Sequence, residues 1–275
     1  MTTTTTQATS RPQVDKSLRF ASTMMLLRDA PAGLEVFMVQ RHRQIEFSSG
    51  ALVFPGGSLD PNDNVLAETA DRLTGAEGLG LETRALRIAA IRETFEESGV
   101  LLARPRGAEG TVPAGRVDEI AAAHRLPLAE GQTTFEQILA AEDLVLALDL
   151  LVPFAHWITP VNLAKRFDTH FFIAAAPADQ VGRHDGHELV DSVWLTPQGA
   201  VEANASGRFK VVFPTMRNLI KLGHNRSVEA AMTLARATPV FTVVPDFIID
   251  GSRRTLRIPA EAGYDGTEFD ASGEG

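Results

Sequence analysis

Three glutamates lie close together in the segment IRETFEESGVLL, residues 91 to 102. Glu93, Glu96 and Glu97 are spaced at i, i+3 and i+4, which places their carboxylates side by side if the segment is helical. Like charges at these spacings repel and destabilise a helix unless a cation offsets them. Carboxylate oxygens are the ligands that Mg²⁺ and Mn²⁺ prefer. The spacing favours a divalent-metal site, although a solvated acidic helix face has the same spacing.

The segment around these glutamates has the apolar pattern of a helix. Apolar residues at 86, 88, 91 and 95 follow helical spacing, and Gly99 is a typical helix stop. Upstream, the short apolar segment GALVFPGG predicts a buried strand that ends at Pro55-Gly56-Gly57. A Gly-Gly turn lets the backbone approach a ligand closely and can point a carbonyl oxygen at a bound ion.

The stretch RETFEESGV, residues 92 to 100, resembles the second half of the Nudix box, G-x5-E-x7-R-E-U-x-E-E-x-G-U, where U is aliphatic. Only Thr94 departs from this half. Gly57 resembles the start of the box, but Arg92 follows it by 35 positions where the pattern has 14, so 21 residues are inserted. Counted back from Arg92, the first glutamate of the box falls on Arg84, with Glu82 nearby but out of register. Because loop closure entropy grows slowly with length, we expect the fold to tolerate this insertion.

The order of the other motifs is similar to one Nudix subgroup. A long loop after FPGG, a helical insertion, and then HWITP and RFDTHFF resemble the long-insertion subgroup that includes a mammalian coenzyme A diphosphatase. The coenzyme A pattern has an arginine nine residues before the glycine of G-x-V-x-F-P-G-G. Arg41 stands nine residues before Gly50, and Leu52 replaces the valine.

The resemblance implies an α/β fold, a Nudix α/β/α sandwich with a mixed sheet, an inserted helical segment and a C-terminal extension. The strand and helix signals also indicate a mixed sheet flanked by helices. We expect a flexible tail at 1–17, a Nudix hydrolase domain at 18–222, and a helical and strand extension with a polar tail at 223–275. Within the domain, we expect a loop insertion at 58–84 and a helical insertion at 105–150, with VDEIAAAHRL and TFEQILAAEDLVLALDLL as a helical pair.

The resemblance also implies roles for the residues of the box. It implies metal ligands at four positions: Glu93, Glu96, Glu97 and a backbone carbonyl, that of Gly57 or of Gly56. Arg92 would orient a carboxylate through charge-assisted hydrogen bonds, or would simply be the i,i+4 partner of Glu96. The general base is left open between Glu188, which precedes the last strand of the sheet, and Glu93.

Four residues are expected to bind substrate: Arg41, Arg43, Phe54 and Arg166. The guanidinium group suits a 3′-phosphate or a diphosphate because its planar fork binds two oxygens. Surface solvation is the alternative for each arginine.

Composition restricts the classes of function. The net charge of −9 argues against a nucleic-acid partner, and the absence of cysteine excludes disulfides and thiolate zinc sites. No stretch has the roughly 18 apolar residues of a membrane span. The first 16 residues contain no signal-peptide core, and the last four, SGEG, are no peroxisomal address, so we expect a cytoplasmic protein.

The resemblance implies an enzyme, a Mg²⁺- or Mn²⁺-dependent hydrolase of nucleoside-linked diphosphates. The favoured substrate is coenzyme A or acyl-coenzyme A, which would give 3′,5′-ADP and (acyl-)4′-phosphopantetheine. Two alternatives are a pyrophosphatase for NADH, ADP-ribose or another nucleoside diphosphate derivative, and a non-catalytic ligand sensor. The partner is then a small-molecule nucleotide rather than nucleic acid or membrane, and a homodimer is compatible with the sequence.

Overall fold

A computed structural model describes residues 18–41, 50–161, 163, 165–180, 182, 189–251 and 253–271. The flexible tail predicted at 1–17 lies outside the described residues. The strands are β1 Leu18–Ala30, β2 Gly33–Arg41, β3 Leu52–Val53, β4 Gly56–Ser58, β5 Leu73–Thr74, β6 Ala103–Pro105, β7 Leu144–Ala147, β8 Val152–Ile158, β9 Arg166–Ala175, β10 Leu189–Leu195, β11 Thr242–Val243, β12 Asp246–Asp250, β13 Arg253–Arg257 and β14 Glu268–Asp270. The helices are α1 Pro61–Glu68, α2 Leu81–Ser98, α3 Ala114–Ala129, α4 Phe135–Ala141, α5 Pro197–Ala205, α6 Phe213–Leu222 and α7 Val228–Ala237.

A mixed sheet of eight strands forms the centre of the molecule. Its main order is β10-β2-β1-β9-β8-β11, with β3 added to β2 and β4 added to β1. Strand β1 runs parallel to β9 and antiparallel to β2 and β4. Strand β4 pairs with the first half of β1 and β2 with its second half, so the Gly-Gly segment is held in the plane of the sheet.

Strand β1 contributes side chains alternately to two cores, one on each face of the sheet. Met24 and Leu26 pack with Ile91 and other apolar residues of α2. Met25 and Leu27 belong to the opposite core, which includes residues of α6 and α7. Helices therefore cover both faces, and the predicted α/β/α sandwich with a mixed sheet is confirmed.

Helix α2 carries the glutamates and follows the predicted pattern. Ile88, Ile91 and Phe95 are fully buried on the side that faces the sheet. The helix ends at Gly99, whose φ of 74° is left-handed and whose N–H donates to the carbonyl of Phe95 at 2.9 Å. A glycine at this position avoids the steric cost of a Cβ, which is why the chain stops the helix there.

The loop insertion is more ordered than its polar composition indicates. Residues 58–84 contain helix α1, which begins with a capping box at Asp60, and the short strand β5. The predicted helical pair in 105–150 is correct for α3 and α4 but wrong for Leu144–Ala147, which form β7. Asp143 has a φ of 51°, which ends the helix, and β7 then pairs with β5 and β6 in a separate three-stranded sheet.

Segments after residue 222 pack against the same central sheet. Strand β11 pairs with β8, and Met232 of α7 joins the core beneath α6. The strands predicted in this extension are present as β12 and β13, and β14 adds a third strand beside β13. Across the described residues, none of the helices combines the length and apolarity that a membrane crossing requires.

Candidate active site

The Gly-Gly segment and the glutamate helix are in direct contact. The backbone N–H of Gly56 donates to Oε2 of Glu97 at 2.9 Å. A Cβ at Gly57 would lie 2.4 Å from Oε1 of Glu93, so only glycine allows this carboxylate to reach the strand. The structure therefore brings together the two sequence features that were expected to form a metal site.

Arg92 lies behind the glutamates and holds two of them in place. Its Nη1 donates to Oε1 of Glu93 and to Oε1 of Glu96, both at 2.9 Å, and its Nη2 donates to the carbonyl of Ser58 at 3.0 Å. The other edge of the guanidinium makes two bonds to Asp63, from Nε at 2.9 Å and from Nη2 at 3.0 Å. Arg92 therefore connects the helix, the Gly-Gly strand and the start of the insertion.

Burial and neighbouring charges both shift the pKa values in this cluster. Burial raises the pKa of Glu93 to about 7; Arg92 opposes this shift, and Glu96 and Asp63 add to it. Burial acts to lower the pKa of Arg92, but Glu93, Asp63 and Glu96 outweigh it and raise that pKa above its ordinary value. A divalent cation next to Glu93 would favour its charged form, as opposite charges do.

A cavity of about 860 Å³ opens above the glutamates. Six of the residues predicted to form the site line it: Arg41, Phe54, Gly57, Glu93, Glu96 and Glu97. The size lies within the usual range for small-molecule sites, roughly 300 to 1,000 Å³. Arg41 lines the cavity, and its Nε is buried and has no hydrogen-bond partner among the described residues.

Among the described residues, Arg92 and Arg166 are the predicted site residues that do not line this cavity. Arg166 begins β9, and its Nε donates to the carbonyl of Thr159 at 3.1 Å, whereas its neighbour Phe167 lines the cavity. Arg43 and Glu188 lie outside the described residues, so their roles stay predictions.

The inserted helix α3 forms one wall of the cavity, which the sequence did not indicate. Ala121, Ala122, Leu126 and Ala129 line that wall. Arg125 of the same helix donates from Nε and Nη2 to the backbone carbonyl of Glu96, at 3.1 and 2.8 Å. A cation at the C-terminal end of α2 interacts favourably with the helix dipole and fixes α3 beside the glutamates.

A second polar cluster lies on β8 and β9. His156 and His170 are stacked with ring centroids 4.0 Å apart, and both Nε2 atoms approach Oδ1 of Asp168. Burial lowers the pKa of His170 to about 4, as does the neighbouring His156, whereas Asp168 opposes the shift. These residues fall in the HWITP and RFDTHFF motifs. The sequence alone did not indicate whether their side chains form a polar site or only pack within the strands.

Comparison with known proteins identifies the family of this chain. Residues 69–222, more than half of the chain, match the family model of the NUDT19 Nudix domain. The chain belongs to this Nudix family. It is 27% identical over 264 residues to the acyl-coenzyme A diphosphatase NUDT19 of Xenopus laevis, which covers 78% of this chain and 69% of that protein. The human protein of the same name is 29% identical, over 74% of this chain and 64% of its own length.

A solved NUDIX hydrolase from Alicyclobacillus acidocaldarius has the same fold. It is 29% identical, superposes with a TM-score of 0.63, and covers 79% of this chain and 96% of its own. The chain spans 62 to 69% of the length of the curated relatives that it matches. Membership in the family shows that the protein is a Nudix hydrolase.

The buried Asp63 takes the position of the first acidic residue of the Nudix box. Counted forward from Gly57, the x5 spacer ends at residue 62 and the next position is Asp63. Counting back from Arg92 instead gave Arg84, which lies in the first turn of α2 and donates from Nε to the carbonyl of Leu79. The insertion therefore lies after Asp63, and forward counting was the signal that could have found this residue.

The donor set suits a hard divalent cation. Three carboxylates and the Gly57 backbone lie together at one end of a cavity. The carboxylate of Glu93 occupies the space beside Gly57 that a Cβ would otherwise fill. Oxygen ligands of this kind favour Mg²⁺ or Mn²⁺, with water in the remaining positions.

Proposed function

We propose that this Nudix hydrolase cleaves the diphosphate of coenzyme A or acyl-coenzyme A, giving 3′,5′-ADP and (acyl-)4′-phosphopantetheine. The observation that carries the proposal is the arrangement of one cavity. Its lining includes Glu93, Glu96 and Glu97, and also Arg41, whose Nε lacks a partner among the described residues. Relatives named acyl-coenzyme A diphosphatase support the choice of substrate.

Glu93, Glu96, Glu97 and the carbonyl of Gly57 would hold Mg²⁺ or Mn²⁺ in this enzyme. The ion supplies charge neutralisation at the phosphate oxygens. Arg92 keeps Glu93 and Glu96 in fixed positions through its hydrogen bonds. The N–H of Gly56 does the same for Glu97. These preformed contacts reduce the reorganisation needed when substrate binds.

A carboxylate of the site would accept the proton of the attacking water. Glu93 lines the cavity beside Gly57 and is one candidate for this general base. Glu188 is the other candidate, and it lies outside the described residues. If Glu188 is the base, Glu188→Gln would lower kcat without weakening metal binding. If Glu93 is the base, Glu93→Gln would lower both kcat and the affinity for the metal.

Arg41 would bind a phosphate group of the substrate from the cavity wall. A guanidinium donates to two oxygens at once, which suits the 3′-phosphate or the diphosphate of coenzyme A. Phe54, Phe167 and Phe171 line the same cavity and offer apolar surface to the rest of the molecule. Arg166, which does not line this cavity, and Arg43, which lies outside the described residues, remain proposed substrate contacts.

The test is a product assay with purified protein in Mg²⁺ and in Mn²⁺. Coenzyme A, acyl-coenzyme A, NADH, ADP-ribose and nucleoside triphosphates would be supplied separately, and products resolved by mass. Release of 3′,5′-ADP with the highest kcat/KM supports the proposal. A higher kcat/KM for NADH or ADP-ribose would change the substrate assignment but leave the diphosphatase reaction in place. Inactivity with every compound and both metals would favour the ligand-sensor alternative.

A further inference from the structure

His156, Asp168 and His170 form a compact cluster on one face of the central sheet. His156 of β8 is paired directly with His170 of β9, and Asp168 precedes His170 by two positions on the same strand. Residues two apart on a strand, and residues directly opposite on paired strands, face the same side. One ligand atom from each of the three side chains lies within 4.8 Å of the other two.

One of the distances in the cluster matches the separation of two ligand atoms around a bound metal ion, and a second is shorter. With ligands about 2.1 Å from a tetrahedral ion, neighbouring ligand atoms are separated by about 3.4 Å. Nε2 of His170 lies 3.4 Å from Oδ1 of Asp168. Nε2 of His156 lies 2.5 Å from the same oxygen, so this pair would have to separate by about 0.9 Å to admit an ion.

Thr242 orients the first histidine from behind. Its Oγ1 lies 2.8 Å from Nδ1 of His156, while Nε2 of the same ring faces Asp168. Histidines that bind metals almost always donate the other ring N–H to an oxygen, which fixes the tautomer and the ring orientation. The Thr242 contact is independent of the cluster itself, and it leaves Nε2 of His156 available as a ligand.

We propose that His156, Asp168 and His170 bind a divalent transition-metal ion of the Zn²⁺ class. Two imidazoles and one carboxylate form a donor set that suits Zn²⁺, whereas Mg²⁺ prefers oxygen ligands alone. The three side chains are 16%, 10% and 28% exposed, so water can complete the coordination from the solvent side. Nothing in this donor set overlaps with Glu93, Glu96, Glu97 or Gly57.

The two sites are two strand spacings apart, with strand β1 between them. In register, Gly57 of β4 is opposite Ser22 of β1, and Ser22 is opposite His170 of β9. Two strand spacings amount to about 10 Å. The hydroxyl of Ser22 is buried between them and has no hydrogen-bond partner among the described residues. The two ions can therefore be bound at the same time, with different ligand chemistry.

Metal binding at this cluster would join three strands of the sheet. His156 lies on β8, Asp168 and His170 on β9, and Thr242 on β11, which comes from the segment after residue 222. An ion that binds only the folded state stabilises it by mass action. We expect Zn²⁺ to raise Tm and to protect the amides of β11 against hydrogen exchange.

The test is calorimetric titration of the tag-free chain with Zn²⁺ in saturating Mg²⁺, followed by the visible spectrum with Co²⁺. We expect one equivalent of Zn²⁺ to bind and a Co²⁺ spectrum of low coordination number. His170→Gln removes a ligand and should weaken binding at least about 100-fold, and Thr242→Val should weaken it about 10-fold. The matched control is His124→Gln, because His124 pairs with Glu142 at 2.8 Å outside the cluster and should leave binding unchanged.

Two outcomes would overturn the proposal: no Zn²⁺ binding in saturating Mg²⁺, or equal affinity in the wild type, Thr242→Val and Asp168→Asn. Asp168→Asn serves as the ligand variant if His170→Gln does not fold. Glu97→Gln separates this site from the proposed diphosphatase site, because it should keep Zn²⁺ binding while it loses hydrolysis. Hydrolysis in His170→Gln should remain at the wild-type rate in Mg²⁺.

Discussion

Asp63 and Arg92 form a buried ion pair with two hydrogen bonds, across 29 positions of sequence and an insertion of 21 residues. Both side chains are 10% exposed or less. The remaining donors of Arg92 hold Glu93 and Glu96, so the insertion is tied at its start to the helix that follows it. Arg92 therefore fixes the start of the insertion to the helix that carries the glutamates.

Asp63→Asn should destabilise the protein by about 3 kcal/mol, because it leaves a buried guanidinium with one charge fewer beside it. Hydrolysis should also fall, since Arg92 would be free to shift away from Glu93 and Glu96. Urea unfolding and steady-state kinetics measure the two effects. Asp71→Asn is the control: Asp71 is 69% exposed and pairs with Arg106 at 3.6 Å, so its loss should change stability by less than about 1 kcal/mol. Equal effects of the two variants would contradict the role given to Asp63.

The sequence predicted best where local pattern and tertiary structure agree. Helix α2 and its Gly99 stop follow from apolar spacing and one left-handed position. Strand β7 was predicted as helix because an apolar run of four residues fits either a helix or a strand. The positive φ of Asp143, which separates the helix from this strand, cannot be predicted from the local sequence. Arg125 could not be found, because its partner is a backbone carbonyl of a distant helix, which leaves no sequence signal.

Glu97→Gln should lower hydrolysis at least about 100-fold in Mg²⁺, because it removes the charge of a metal ligand. Stability should be nearly unchanged, since the amide oxygen can still accept from the N–H of Gly56 and one like charge is removed. Glu82→Gln makes the same substitution in the exposed first turn of the same helix and should have no effect on rate. A Glu97→Gln enzyme with wild-type activity would exclude Glu97 as a ligand.

Substitutions at the two turn glycines should have different effects. A Cβ at Gly57 would meet the carboxylate end of Glu93 at 2.4 to 2.6 Å, so Gly57→Ala should displace that side chain and lower kcat with a small loss of stability. A Cβ at Gly56 would meet the backbone of Ser22 at 2.4 Å, so Gly56→Ala should destabilise the fold by about 2 kcal/mol. Gly110→Ala is the control, because nothing lies within 4 Å of its Cβ position. Thermal unfolding and kinetics of the three variants measure the contrast.

Arg41→Ala should raise KM for coenzyme A more than for dephospho-coenzyme A if Arg41 binds the 3′-phosphate. The buried Nε of Arg41 lacks a partner among the described residues, and a charge-assisted bond to a phosphate oxygen would provide one. Loss of such a bond should cost about 2 kcal/mol, or about 30-fold in KM. A similar rise in KM for both substrates would place Arg41 at the diphosphate instead.

Tyr264 links the C-terminal extension to the rest of the protein through two hydrogen bonds. Its hydroxyl accepts from Nε1 of Trp157 at 2.8 Å and donates to Oδ1 of Asn218 at 2.6 Å. Burial raises the pKa of Tyr264 above its ordinary value, and the bond from Trp157 opposes that shift. The native state therefore holds the phenolic proton more tightly than the unfolded chain, in which tyrosine titrates near about 10.

The sign of the resulting pH dependence follows from that difference. The stability contributed by the protonated phenol is fully present below about pH 10 and is lost as pH rises above it, by up to about 1.4 kcal/mol per pH unit. Tyr264→Phe should be less stable than the wild type at pH 8, because the partners of the hydroxyl are left unpaired. The difference in stability between the wild type and Tyr264→Phe should become smaller above pH 10, because the variant has no phenol to ionise.

The chain has a single tyrosine, so phenolate absorbance reports Tyr264 alone. In the native protein this absorbance should appear well above pH 10 and coincide with unfolding, whereas in urea it should appear near about pH 10. Titration of the native protein at the pH seen in urea would show that the extension leaves Tyr264 open to water. A difference in the free energy of unfolding between the wild type and Tyr264→Phe that stayed constant through pH 11 would lead to the same conclusion.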